Sequence, residues 1–221
     1  MSTTQSSSDD VVLQKYHRDL ISGSHILHYH NVLDAFGHLS VRHPFNPAIF
    51  IMSRNAAPGT ISSPNDLIEY YVEDARPVDP NAAAGFLERC IHNAQQPDDI
   101  SDLLVRNTHL GSSLAASFGT SHSEEYSPQH VVALMRGHGF TVLAGSIQDC
   151  VMRAVYTQKN AAIQTTALTM RAADSSATAP IKYLSQKEVA DTTWSIAKSA
   201  HRPWGLWLRE VEACGLYANS A

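Results

Sequence analysis

The chain has 221 residues, with 16 Lys and Arg against 21 Asp and Glu and a formal net charge of -5; that length suits one domain with a sizeable core, and the acidic balance without a basic cluster excludes a nucleic-acid footprint. Three cysteines, Cys90, Cys150 and Cys214, are odd in number and widely spaced, which excludes a disulfide framework or a zinc pattern and points to a reducing interior. The first ten residues are polar and acidic, and no apolar run approaches the length of a bilayer span. The expectation is a soluble, cytoplasmic protein without nucleic-acid or membrane partners.

Residues 1–10 read as a disordered N-terminus, and helical periodicity follows over 11–31. Of the twelve histidines, five lie between His25 and His43. His25 and His28 share a helical face with no Glu or Cys nearby, so they read as packing residues rather than metal ligands. After Gly37 the pattern alternates: 38–43 and 48–52 read as strands joined by a turn carrying Pro44, Asn46 and Pro47, and 66–72 as a third. Helices are expected over 82–93 and 99–118, where Gly119 offers a stop, followed by an exposed polar loop over 120–129. Strands at 131–135 and 140–144 then surround His138. A long helix over 147–171 carries Ile147, Val151, Ala154, Val155 and Ala162 on one stripe. Small and polar residues make 172–184 a linker. Ser185-Gln-Lys-Glu188 has the form of a capping box opening a helix to about 200, and Pro203 begins a last helix with Trp204, Trp207 and Leu208. Helices flanking a mostly antiparallel sheet make this an α/β or α+β domain, and no internal repeat is visible.

Three constellations carry candidate chemistry. On the strand Gly37-His-Leu-Ser-Val-Arg42, His38, Ser40 and Arg42 alternate onto one face. A hydroxyl with a guanidinium suits a carboxylate or phosphate; a solvated strand face is the competing reading. Ser53 and Arg54, ending the next strand, either add to that cradle or form a plain turn. Glu88 and His92 are one helical turn apart and either bind a metal, share a proton, or form an ordinary exposed pair. Finally, Ala133-Leu-Met-Arg-Gly-His-Gly-Phe140 delivers His138 between two glycines with Arg136 two residues away. This is the placement of a metal ligand or a catalytic acid, because glycines add no packing to a strand unless the backbone must approach something.

Four segments, Asp34-Ala-Phe-Gly-His-Leu-Ser-Val-Arg-His-Pro44, Ile51-Met-Ser-Arg54 with Ala57-Pro58, Leu87-Glu-Arg-Cys-Ile-His92 and Val132-Ala-Leu-Met-Arg-Gly-His-Gly139, occur in the order seen in the class II aldolase/adducin superfamily. From about 16 to 167 the chain resembles that superfamily. Its wording is most similar to the metal-dependent decarboxylases of hydroxylated aromatic or pyridine dicarboxylates, a likeness that the Trp-rich tail shares. The resemblance implies an α/β fold of three α/β/α layers, here with a shortened sheet, over 11–171, followed by the linker and a C-terminal helical tail over 185–221. It implies a homo-oligomer, a tetramer in most members. It also implies a divalent metal (Zn, Mn or Fe) held by a His-x-His pair and the His of the His-Gly element.

Carried over, Glu88 is the acid/base and an additional ligand, and His138 a metal ligand. His38 joins Glu88 as a catalytic group. Ser40, Arg42, Ser53, Arg54 and Arg136 bind a small carboxylated or phosphorylated substrate. The implied chemistry is carbon–carbon lysis, with the metal accepting the electrons released. This chain has no His-x-His pair in a strand context of the Arg-Pro-Asp-Val type. Asn107-Thr-His109 offers a partial substitute with His109 as a ligand, yet the stretch 102–116 is also similar to the helix that precedes the His-Gly strand. On that second reading the pair is missing between 92 and 99, which would leave an unpaired sheet edge. The expected activity is decarboxylation, with a sugar-phosphate aldolase or a non-catalytic, adducin-like protein as the alternatives.

Overall fold

The computed structural model describes residues 3–83, 85–86, 104–105, 108–119, 128–174, 180–196 and 199–221, the side chains of 3–7 and 108–109 excepted. Helix α1 (Thr3–Tyr29) seats Leu20, Ile21, Ile26 and Leu27 at 3% exposure or less. It ends on Asn31, whose φ of 58° is left-handed. The Asn31 N–H donates to His28 O at 3.0 Å and the Val32 N–H to Leu27 O at 2.8 Å, closing the orphan carbonyls of the last turn.

Strands β1 (Ser40–Arg42), β2 (Ile49–Ser53) and β3 (Leu67–Tyr71) form an antiparallel meander. The register pairs Val41 with Ile51 and Ile51 with Glu69, and Ser40 with Met52 and Met52 with Ile68. Alternation therefore sends Val41, Ile51 and Leu67 toward the helices and Ser40, Arg42, Phe50, Met52, Ile68 and Tyr70 to the other face. Helix α2 (Thr108–Ala116) precedes the hairpin of β4 (Val132–Met135) and β5 (Gly139–Val142). Among the described residues this hairpin is a two-stranded sheet of its own.

Helix α3 (Ile147–Ala173) begins on Ser146, whose hydroxyl accepts from the Asp149 N–H at 3.1 Å. Its predicted stripe is real in the first half: Ile147, Val151, Ala154 and Val155 are buried against Leu20, Ile26, Leu27, Leu39 and Ile51. The close approach of α1 and α3 needs Gly23, where an added Cβ would lie 2.9 Å from Leu39 and 3.1 Å from Ile147. Ala162, expected on the same stripe, is exposed with the rest of the second half. Helix α4 (Gln186–Ile196) buries no residue, whereas α5 (His201–Ala213) inserts Trp207 and Val211 into the core shared with α1 and α3. Among the described residues, no helix is long and apolar enough to cross a membrane.

Two expected helices differ. Residues 82, 83, 85 and 86 of the helix predicted over 82–93 are not helical. Gly85 instead bridges Arg54 beyond the end of β2, and an added Cβ there would fall 1.8 Å from the Tyr70 hydroxyl oxygen. The local periodicity was helical, but the tertiary contact of this glycine with Tyr70 decides the backbone. Residues 104 and 105, inside the helix predicted over 99–118, are also irregular, and α2 occupies only its second half. The remaining positions of both predicted helices lie outside the described residues.

Candidate functional site

The β4–β5 hairpin turns over residues 136–138, with the His138 N–H donating to Met135 O at 3.2 Å. Gly137 has φ 74° and Gly139 φ 150°, conformations that L side chains rarely adopt. The flanking glycines thus serve the turn, and a Cβ at Gly139 would meet nothing within 4 Å. Arg136 and His138 are exposed and belong to this turn rather than to a strand. Strand alternation, the ground for expecting them on one side, does not apply.

His38 lies just before β1 in a loop shaped by Asp34, whose carboxylate accepts from Phe36 N at 2.8 Å and Gly37 N at 3.3 Å. A Cβ at Gly37 would approach Leu33 Cδ2 to 2.5 Å, so a larger residue there would push the Leu33 side chain aside. The His38 ring packs on Phe86 with centroids 5.0 Å apart. Burial pushes its pKa down to about 4, against the hydrogen bond with the Phe36 backbone and with a further lowering from nearby His138. His38 is therefore neutral at pH 7, a hydrogen-bonding group rather than a stored acid. The fold brings His38 and His138 within electrostatic reach of each other, although a hundred positions separate them in the chain.

Ser40 and Arg42 share the face that the alternation predicted, and both are exposed. Arg42 spends one donor locally, Nη1 to Pro47 O at 2.7 Å, leaving the rest of its guanidinium fork for an anion. Ser53 does not join them. It pairs with Leu67 on the helix side of the sheet and is 5% exposed. Arg54 donates from Nε to Asp66 Oδ1 at 2.7 Å and so ties the end of β2 to the turn before β3. Glu88, His92 and Asn107 lie outside the described residues, and His109 is placed only by its backbone in α2. Among the described residues no group of three or more His, Cys, Asp or Glu is arranged to hold a metal ion.

His25 and His28 are packing residues, as expected. The His25 Nε2 pairs with Ile61 O at 2.7 Å in a site 2% exposed, and His28 Nδ1 with the Tyr217 hydroxyl at 2.8 Å. The contribution of Phe86 to the site was not foreseen, because the helical reading of its segment gave no reason to bring it against His38.

No protein-family model matches the chain. It is 42% identical to the decarboxylase tropJ of Talaromyces stipitatus over 258 aligned residues, covering 92% of this chain and 97% of that protein. The alignment is longer than the 221 residues of this chain, so the relative carries sequence with no counterpart here. Among solved structures it is similar to L-fuculose 1-phosphate aldolase from Glaciozyma antarctica PI12, with TM-score 0.61 and 11% identity over 92% of this chain and 91% of the other. It is also similar to an aldolase II superfamily protein from Pseudomonas syringae, with TM-score 0.57 and 14% identity over 92% and 94%. At those identities the two structures establish the fold alone.

Proposed function

Because the chain belongs to the class II aldolase/adducin superfamily, in the family of the tropJ decarboxylase, we propose that it is a carbon–carbon lyase that removes carbon dioxide from a hydroxylated aromatic or heteroaromatic carboxylic acid. The observation that carries this reading is the 42% identity across nearly the whole of both chains. In such a reaction the bond between ring carbon and carboxylate breaks, its electron pair stays on the ring, and a proton takes the place of the departing carbon dioxide. The chain must therefore hold an anion, shield the ring from water and deliver one proton.

Ser40 and Arg42 on the open face of β1 hold the anion, with Arg136 on the neighbouring turn adding charge and Ser53 and Arg54 supporting the strand end. Neutral His38, enclosed beside Phe86, orients the substrate by a hydrogen bond, and Glu88 delivers the proton. For the divalent metal, His138 with Glu88 and His109 is the set we assign, and it would polarise the carboxylate and hydroxyl oxygens. The described side chains alone do not fit a metal, since His138 and His38 fall short of the usual three ligands. Assembly as a homo-oligomer, a tetramer, completes the reading.

The alignment's extra length favours a second reading, a degenerate protein in which the missing segment removed part of the metal site. Elemental analysis and native mass of the purified wild type, beside carbon dioxide release from a panel of hydroxybenzoates and hydroxypyridine carboxylates, separate the two. Release that disappears in His138→Ala, together with loss of bound zinc, manganese or iron, is expected. A metal-free wild type that decarboxylates none of the panel overturns the lyase reading, and cleavage of phosphorylated sugars instead would replace it with an aldolase.

A further inference from the structure

Residues 217–221, beyond α5, are fastened along α1, and none of the chemistry assigned above uses them. Asn219 Nδ2 donates to Arg18 O at 3.0 Å and to Ser22 Oγ at 2.9 Å, Arg18 Nε donates to Ala221 O at 2.8 Å, and the Tyr217 hydroxyl pairs with His28 Nδ1. Held there, the segment brings Ser220 to the turn before β3. Its N–H and its hydroxyl both donate to Ser62 O, at 2.8 and 3.0 Å.

A peptide unit is planar and trans, so a carbonyl fixed on one side aims the N–H of the next residue to the other. Two successive units of this turn are held in that way. Ser220 grips Ser62 O, and the Ser63 N–H of the same unit donates to Asp66 Oδ2 at 3.1 Å. His25 Nε2 grips Ile61 O at 2.7 Å, with the Tyr217 ring centroid 5.0 Å from that of the imidazole. The Ser62 N–H of that unit donates to the same Oδ2 at 2.8 Å.

Asp66 passes the constraint on. Its Oδ1 accepts from Arg54 Nε at 2.7 Å, and its backbone O accepts from the Arg54 N–H at 2.8 Å. Arg54 in turn bridges Gly85, and the next residue, Phe86, packs against the His38 ring and joins the cluster of Met52, Ile68 and Tyr70.

We infer that Ser220 is a positioning residue for the candidate site: through the peptide planes of 61–63 and the Asp66 carboxylate it sets the end of β2, and with it the Phe86 wall beside His38. The consequence for binding a hydroxylated aromatic acid rests on the reading proposed above, whereas the positioning itself does not.

Ser220→Ala removes one donor to Ser62 O, Ser220→Pro removes both, and Ser220→Thr keeps both. Each intact variant, labelled isotopically at histidine, is compared with the wild type by amide exchange and by the His38 Hε1 signal, assigned with His38→Gln. At about threefold per hydrogen bond, exchange in peptides covering 54–66 should quicken by about threefold in Ser220→Ala and about tenfold in Ser220→Pro. Peptides covering 147–155 of α3 should exchange as in the wild type, which a general loss of stability would not allow. The His38 signal should shift in the same order, because the ring current of Phe86 acts on it, and the dissociation constant of salicylate should rise by about threefold and about tenfold. Ser220→Thr should match the wild type throughout. Unchanged exchange at 54–66, equal quickening in α3, or an unmoved His38 signal overturns the inference, as does an unaltered affinity for salicylate where the wild type binds it. A wild type that binds no salicylate below about 10 mM, while the His38 signal still moves, overturns the carboxylate reading and leaves the positioning role standing.

Discussion

Arg54 and Asp66 join the end of β2 to the turn before β3: the guanidinium Nε donates to Oδ1 at 2.7 Å, while the other carboxylate oxygen accepts from the Ser62 and Ser63 N–H groups at 2.8 and 3.1 Å. One carboxylate thus fastens a strand end and caps a 3-10 turn at Pro64–Asp66. Burial alone would raise the pKa of Asp66, but the Arg54 and serine hydrogen bonds outweigh it, and the group titrates below the usual carboxylate value.

Asp66→Asn should cost about 1.5–3 kcal/mol, the value of hydrogen bonds to a charged group, read as a lowered urea midpoint with an unchanged slope. Since the folded pKa is depressed, this stabilisation is full above about pH 4 and is lost as pH falls through the folded value. A mutant whose acid unfolding matches the wild type would show that Asp66 carries none of it.

Histidines set a second, higher window. Burial lowers the pKa of His25, against the Ile61 hydrogen bond and with help from His28. Burial likewise lowers His30, against Glu210 and helped by Lys159, and His17. A histidine with a depressed folded pKa is taken up neutral, so its stabilisation is complete above about pH 6.5 and declines as pH falls below it. Urea midpoints at pH 7.5, 6 and 5 should fall in that order, and His25→Gln should flatten the decline; a flat wild-type profile would contradict the assignment.

The turn at His138 has a backbone signature. Gly137→Ala, at φ 74°, should destabilise the protein by about 1–2 kcal/mol, and Gly137→Asn by less because Asn tolerates the left-handed region. Equal losses for the two variants would mean that the turn re-forms with another geometry.

Gly85→Ala should be costlier than its position outside regular structure suggests, since the added methyl would fall 1.8 Å from the Tyr70 hydroxyl oxygen. Overpacking of this kind costs about 1–3 kcal/mol. Tyr70→Phe removes the nearest atom, so the double mutant should recover part of the loss; strict additivity in the cycle would show that the two residues do not meet.

The strand meander was legible because Val41, Ile51 and Leu67 alternate with Ser40, Met52 and Ile68 around turn residues. The His138 hairpin was legible because its glycines punctuate it. Less of the candidate site could be read. The pattern put Ser40 and Arg42 on one face, but the pairing of Ser53 with Leu67 sends it to the other, and Arg54 is held by an acid twelve positions further on. A strand's period says which neighbours share a face, not which partners a residue meets across the fold.

By itself the sequence determined the periods, the turns, the order of the motif segments and therefore the superfamily, since these depend on residues near one another in the chain. Only the tertiary structure decided that His38 packs against Phe86 and is neutral, that it lies within electrostatic reach of His138, and that Gly85 leaves the helical pattern to make room for Tyr70. Burial and electrostatic coupling depend on groups brought together from distant positions, and local pattern carries no record of those distances.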